Sequence, residues 1–336
     1  MKTALAALAV FTLGGAGSWQ RLPASPVRAE TARGAVWTGK RVLVFGRHSI
    51  TAKDARGNPY VVKTVDVAAS YDPAAKAWQK LTPPVGAGYS PSYATVWTGT
   101  RMLVWGPFDA LSYDPAANRW RTLPRPPTNA GRLAVWTGKE LVGWGGGCCG
   151  DAFSDGAAYN PATNRWRKLP VSPLAGSQSP VGAWTGRELV ILVGNLDPDG
   201  KPWPARLARA AAYDPARNSW RRLPPLPDGH TGALAVWDGK EVLVVGGGKR
   251  GGFAFDPATN RWRRIDVPAL FGVAVTAWTG PRLLALGGRS GFAFDPRTNR
   301  STRLPAAPFA VGDVGWTWTG RGLFVWNGRA AAAYMP

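Results

Sequence analysis

Ala35-Val36-Trp37-Thr38-Gly39-Lys40-Arg41-Val42-Leu43-Val44-Phe45-Gly46 is the stretch that sets the period of this chain. Small residues run up to a Trp, a Thr-Gly pair turns the backbone, and an apolar strand follows that ends in Gly. The Trp returns at Trp97, Trp136, Trp184, Trp237, Trp278 and Trp318, each time with a turn and an apolar strand behind it. A second pattern follows each of the first six copies: an aromatic residue, Asp-Pro, and a Trp seven residues after the aromatic. Tyr113-Asp114-Pro115 with Trp120, and Phe255-Asp256-Pro257 with Trp262, are examples. Asn160 replaces the Asp in the third unit and Ser301 replaces the Trp in the sixth.

Each unit therefore predicts two hairpins. Thr-Gly or Asp-Gly turns the first. Asp-Pro opens the second turn, because Pro presets φ and Asp bonds to the local backbone. Four short strands in a repeat of this length form the blade of a propeller, not a turn of a helical solenoid.

The seventh copy runs from Trp318 through Tyr334 and stops at Pro336, one strand short. The missing Trp-x-x-Leu-Pro stands at the other end of the chain, as Trp19-Gln20-Arg21-Leu22-Pro23. The expectation is an all-β, seven-bladed propeller with four antiparallel strands per blade over residues 19–336. Its N-terminal strand would complete the last blade and remove an open sheet edge.

The glycine-ended second strand, the aromatic-Asp-Pro step and the late Trp resemble the Kelch repeat family, which includes the galactose-oxidase-type propellers. The resemblance runs from about Trp19 to the end of the chain. It implies a closed propeller whose variable loops contact partners. It also raises a copper oxidase, which would need two histidines, tyrosines and a crosslinking cysteine in one place. This chain has only His48 and His230, in units one and five, and its two cysteines are adjacent. No metal and no cofactor are expected.

Of the 18 tryptophans, most occupy the two repeat positions, while Trp105, Trp144 and Trp326 end second strands. They are expected to fill the space between twisted blades. Trp203 and Trp316 fall outside the register. The aspartates of the Asp-Pro turns are expected to be structural. No nucleophile elbow, P-loop or Gly-x-Gly-x-x-Gly appears in a strand–helix context.

Residues 1–18 are set apart from the repeat. Met1-Lys2 precedes an apolar run, Ala4 to Leu13, and then small residues, Gly14 to Ser18. That is the order of a signal peptide, the alternative being a disordered extension, so a secreted, periplasmic or cell-surface location is expected. No apolar stretch is long enough to serve as a transmembrane anchor. A net charge of +21, carried mainly by arginine, favours an anionic polymer or sugar over neutral partners, with nucleic acid as a less favoured alternative. Cys148 and Cys149 form no disulfide framework and no metal-ligand spacing. They are either two free thiols or a vicinal disulfide stiffening one loop.

Comparison of the units locates the adaptable face. The two hairpin turns hardly vary, whereas the connection between the second and third strands does. It runs from Gly46 to Tyr71 in unit one, Gly145 to Tyr159 in three and Gly194 to Tyr213 in four, against Gly106 to Tyr113 in two. Binding usually lives on such loops above a rigid scaffold. They carry His48, the Asp54–Tyr60 stretch, Cys148, Cys149, Asp197, Lys201 and Trp203. Arg33, Tyr93 and Arg132 stand four residues before their repeat Trp, near the mouth of the channel. With Trp203 and His230 they form the candidate ligand site, where arginines would grip a carboxylate or phosphate.

The leading expectation is a non-enzymatic, exported module that binds an extracellular protein or polyanionic polymer through the long-loop face, as a monomer. The alternative is a small-ligand enzyme at the channel mouth, sugar-acid isomerase-like or galactose-oxidase-like.

Overall fold

The computed structural model describes residues 17–84, 94–106, 109–147, 150–194, 201, 209–227, 233–247 and 251–336, apart from the side chains of Arg33 and Ala233. These residues form seven four-stranded antiparallel sheets, and no helix occurs among them. Blade one comprises β2 (Thr31–Trp37), β3 (Val42–Lys53), β4 (Pro59–Asp72) and β5 (Ala77–Lys80). The chain's first strand, β1 (Ser18–Arg21), belongs instead to blade seven, where it pairs with the strand Ala331–Met335. Trp19 lies opposite Tyr334 and Gln20 opposite Ala333. The two chain ends are thus laced into one blade, as the split repeat predicts.

Both turn types repeat because their side chains bond to the backbone they reverse. Thr38 Oγ1 accepts from the Arg41 amide at 3.0 Å and donates to the Arg41 carbonyl at 3.0 Å, with Gly39 at φ 90° between them. The Asp72 carboxylate accepts from the amides of Ala74 and Ala75. Asn160 does the same for Ala162, so its substitution for Asp leaves the turn intact. The aspartates of these turns are structural, as the pattern predicts.

The core lies between blades rather than within them. Seven buried clusters fill the interfaces between neighbouring blades, including the one at closure, where Val42, Val44 and Tyr71 of blade one meet Phe324 and Trp326 of blade seven. Trp105 and Trp144 are fully buried in such interfaces, consistent with tryptophans as space fillers. Gly143 has no side chain for the same reason: a Cβ there would sit 2.2 Å from the Trp105 ring.

The outer tryptophans do more than fill space. Each indole N–H donates to a carbonyl of the preceding blade: Trp78 to Pro23, Trp120 to Thr82, Trp166 to Pro124, Trp220 to Pro170 and Trp262 to Pro224, at 2.7–3.0 Å. Trp19 donates to Pro305 at 3.0 Å, and Ser301 keeps the link in blade six through its hydroxyl to Asp266. One hydrogen bond therefore staples every blade to its neighbour, and Ser301 is a functional replacement for Trp within that ring.

The arginine that follows the outer Trp also departs from expectation. Strand alternation places it on the outer wall as part of a basic belt. In blades three to five it turns instead into the groove between blades and pairs with the Glu behind the Thr-Gly or Asp-Gly turn. Arg167 meets Glu140 at 2.7 Å, Arg221 meets Glu188 at 2.8 Å, and Arg263 meets Glu241. Arg167 then reaches across to the Tyr213 hydroxyl and Asn218 of the next blade, both at 2.8 Å. Burial works against its charge, but the hydrogen bonds to Glu140 and Tyr213 outweigh it and raise the pKa.

Candidate functional site

Strand order puts both hairpin turns of every blade on one face of the ring, and the connections between second and third strands on the other. Two features stand out on or below that second face: an axial cavity and a long hairpin arm.

The axial cavity, about 620 Å³, is bounded by the inner strands of blades three to seven. Trp184, Trp237 and Trp316 line it together with Leu133, Leu234 and Val236, and its polar groups include Arg132, Ser179 and Thr276. Arg132 reaches this space because it begins its inner strand, and its amide is held by the Gly145 carbonyl at 3.1 Å. Pro180 and Ala274, which stand at the matching position in blades four and six, line the same cavity. The position four residues before the repeat Trp is therefore a channel position in three blades. Trp316, outside the repeat register, proves to be a channel residue; its place two residues before Trp318, on the same side of a strand, was the available signal.

Arg33 occupies the corresponding place in blade one. It is the extra residue of a β-bulge, since Ala32 pairs with Gly46 and Gly34 with Phe45. Its side chain, and all of Tyr93, Trp203, His230, Cys148 and Cys149, lie outside the described residues. Of the candidate ligand site, only Arg132 is placed at the cavity.

The long connection of unit one is no loose loop. β3 and β4 continue past the blade as a two-stranded arm paired from His48–Val65 to Lys53–Pro59. Its tip is a turn in which Asp54 accepts from the amides of Arg56 and Asn58. Two charge clusters fasten its base. The Arg47 guanidinium forks onto Asp66 directly across the ladder, at 3.0 and 3.4 Å, with both side chains over nine-tenths buried. Glu30 accepts from the Ser49 amide at 2.7 Å, bonds to His48 Nδ1 at 3.0 Å and meets Arg28 at 3.3 Å. Burial tends to raise the Glu30 pKa, but the hydrogen bonds from Ser49 and His48 prevail and lower it.

Above this clasp the arm is exposed on both faces, and large apolar side chains stand on it among Thr51, Lys53, Lys63 and Thr64. Ile50, Tyr60, Val61 and Val62 are each 43–58% exposed. Ile50 pairs with Lys63 and Thr51 with Val61, so Val62 is the extra residue of a bulge, which re-aims neighbouring side chains. An arm fastened at its base that leaves large apolar side chains uncovered has the character of a contact surface.

Among the described residues no group of three His, Cys, Asp or Glu side chains comes together that could hold a metal ion. His48 is held by Glu30 on the arm, away from the axis.

These features define a closed seven-bladed propeller with a tryptophan-lined axial cavity and one projecting arm. Among solved structures it is similar to a fungal alcohol oxidase with catalytic diversity among the AA5 family, in complex with copper, at a TM-score of 0.69 and 14% identity over 96% of this chain and 77% of that one. At that identity the likeness is one of fold alone. No protein-family model matches the chain, and no curated protein does. No helix of the described residues is long and apolar enough to cross a membrane.

Proposed function

We propose that this protein is an exported, Kelch-like interaction module that holds a protein partner on the arm of blade one. The observation that carries the proposal is the exposure of Ile50, Tyr60, Val61 and Val62 on an arm whose base is fixed by buried charge. A bare two-stranded hairpin is marginally stable in water; here its ordering is supplied by the blade beneath. A partner docking on it loses little conformational entropy from this side and gains apolar contact and open strand edges. Export is supported by the apolar run Ala4–Leu13, which ends before the first strand begins at Ser18.

The test is quantitative crosslinking capture from the extracellular fraction of the producing cell, comparing the native protein with the variant Tyr60→Ser/Val62→Ser. Both positions are more than half exposed, so melting should be unchanged while capture of a defined protein falls at least tenfold. Equal capture by both, or binding only to polyanions that fades steadily with salt, would leave the +21 charge as the cause and remove the arm from the account.

A second reading rests on the axial cavity. Arg132 beside Ser179 and Thr276 at a tryptophan-lined space suits an acidic sugar, whose carboxylate the guanidinium would fork and whose ring the indoles would cover. It predicts saturable binding of a sugar acid that persists in high salt and drops at least tenfold in Arg132→Ala. Weak, salt-sensitive binding indifferent to that substitution sinks it.

A further inference from the structure

We propose that the seam where the ring closes, between blades seven and one, is a binding site for a small oxyanion of phosphate or carboxylate chemistry carrying two or more charges. It opens on the hairpin-turn face, opposite the arm. A cavity of about 920 Å³ lies there, lined by Arg21, Lys40, Lys76 and Arg321, with Tyr71 and Gly322 in its wall and no acidic side chain among its lining residues.

The matching groove between blades three and four shows what the repeat normally does with this space. It measures about 580 Å³ and is bridged by the Glu140–Arg167 pair, which continues to Tyr213 and Asn218. At the seam both hydrogen-bond partners of that tyrosine, and the glutamate that holds its arginine, are changed. Gly322 stands for Glu140, Gln20 for Arg167 and Lys76 for Asn218. The internal carboxylate is gone, and the cation has moved from the place of Arg167 to that of Asn218.

Two further observations point to a ligand. Tyr71 is 3% exposed as a residue and lines the cavity, where its hydroxyl makes no hydrogen bond to the described residues. Tyr113, Tyr159 and Tyr213 each donate to the Asn of their own turn, at 2.7–2.8 Å. Lys76 also adopts φ 51°, a left-handed conformation that the other five turns give to Asn118, Asn164, Asn218, Asn260 and Asn299. Asn tolerates that region better than Lys, so this turn forgoes both an easier backbone and an acceptor for the tyrosine.

The cations are not neutralised from within. No ion pair joins Arg21, Lys40, Lys76 or Arg321 to a carboxylate among the described residues; Arg21 donates to the Pro308 carbonyl. Asp72, the carboxylate next to Tyr71, is engaged by Arg41 and by its own turn. An oxyanion entering the seam would take the place the repeat gives to a glutamate, accept from the Tyr71 hydroxyl and draw Lys40, Lys76 and Arg321 together across the closure, while Arg21 stays bonded towards blade six. It would bind only the closed ring, and so stabilise it.

The experiment is thermal unfolding of the full chain with inorganic pyrophosphate or citrate, at ionic strength matched with sodium chloride. The expected result is a saturable rise of about 2–4 °C with at least one of the two, the stronger naming phosphate or carboxylate as the preferred chemistry. Lys76→Asn restores the residue of the other turns, so it should melt no lower than the native protein without anion, yet bind at least tenfold more weakly. Lys139→Ala, in the matching groove of blades three and four, should leave binding unchanged. No rise with either anion overturns the proposal. Equal loss in Lys76→Asn and Lys139→Ala also overturns it, by assigning the effect to general positive charge.

Discussion

Trp19→Ala lowers the stability of the ring by about 3 kcal/mol, and deletion of Ser18–Leu22 abolishes its single cooperative unfolding transition. The first figure is the lower end of the range for removing a large packed aromatic, because Trp19 is only half-buried. That side chain does three things at once. It pairs across the ladder with Tyr334, packs its ring 5.4 Å from the Tyr334 ring, and donates its indole N–H to Pro305 of blade six. Trp19→Phe keeps the packing and loses the donated bond, for which about 1 kcal/mol is expected. Deletion goes further, since it uncovers the whole edge of the strand Ala331–Met335 and removes the Pro23 carbonyl's neighbours that position it for Trp78. The check is urea unfolding followed by tryptophan fluorescence. A circular permutant that joins Pro336 to Ser18 through a three-residue turn such as Ala-Ala-Asn, the length the other blades use, and opens the chain between two other blades separates closure from mere loss of residues. It should recover native stability, because the same four strands are then continuous. A Trp19→Ala cost below about 1 kcal/mol would mean that the closing strand merely rests on a blade already stable with three strands.

That closure was legible in the sequence because the missing part of the last repeat and the surplus at the start are the same words, Trp-x-x-Leu-Pro. The blades were legible for a similar reason: turn chemistry, glycine placement and aromatic register agree in every unit. The staples were half legible. The outer Trp shows its period plainly, but the carbonyl that its N–H meets belongs to the preceding blade, and strand alternation says nothing of it. Ser301 is the clue, since a hydroxyl can replace an indole donor but not an indole's volume. The Arg–Glu pairs carried a signal in internal comparison: the arginine behind the outer Trp coincides with Glu140, Glu188 and Glu241 behind the first turn in units three, four and five. The arm was hidden for a different reason. Its length marked it as an insertion, and Thr51, Val61, Val62, Thr64 and Val65 have the β-branched character of strands, yet the charged turn at Asp54–Asn58 gives it the composition of a loop. Of the channel-mouth residues, Arg132 is placed at the axial cavity, while Tyr93, Trp203 and His230 belong to segments outside the described residues.

Of the two charge clusters that fasten the arm, on which its proposed use depends, the buried Arg47–Asp66 pair makes the second large prediction. Arg47 and Asp66 face each other across β3 and β4, where the blade ends and the arm begins, both more than nine-tenths buried. Their two-pronged geometry offsets the cost of desolvating both charges, but neither charge is tolerable alone. Arg47→Met should therefore cost about 3–5 kcal/mol, because it leaves the Asp66 carboxylate buried without the guanidinium that forks onto it, and Asp66→Leu should also destabilise, because it removes both prongs of the fork from Arg47. The double variant Arg47→Met/Asp66→Leu should return to within about 1 kcal/mol of the native protein, since apolar residues of similar size can replace such a pair at little net cost. Denaturant unfolding of the four proteins closes the cycle and gives the coupling directly. The double variant also separates fold from function. If the pair matters for stability alone, the variant binds the arm's partner as the native protein does. If the fork sets the angle of the arm above the blade, the variant folds normally and binds more weakly, because apolar contacts do not fix the orientation of two strands as a bidentate pair does. Single substitutions that each cost less than about 1 kcal/mol would show that water reaches the pair, and the arm would then owe its position to the Glu30 clasp on Ser49 and His48.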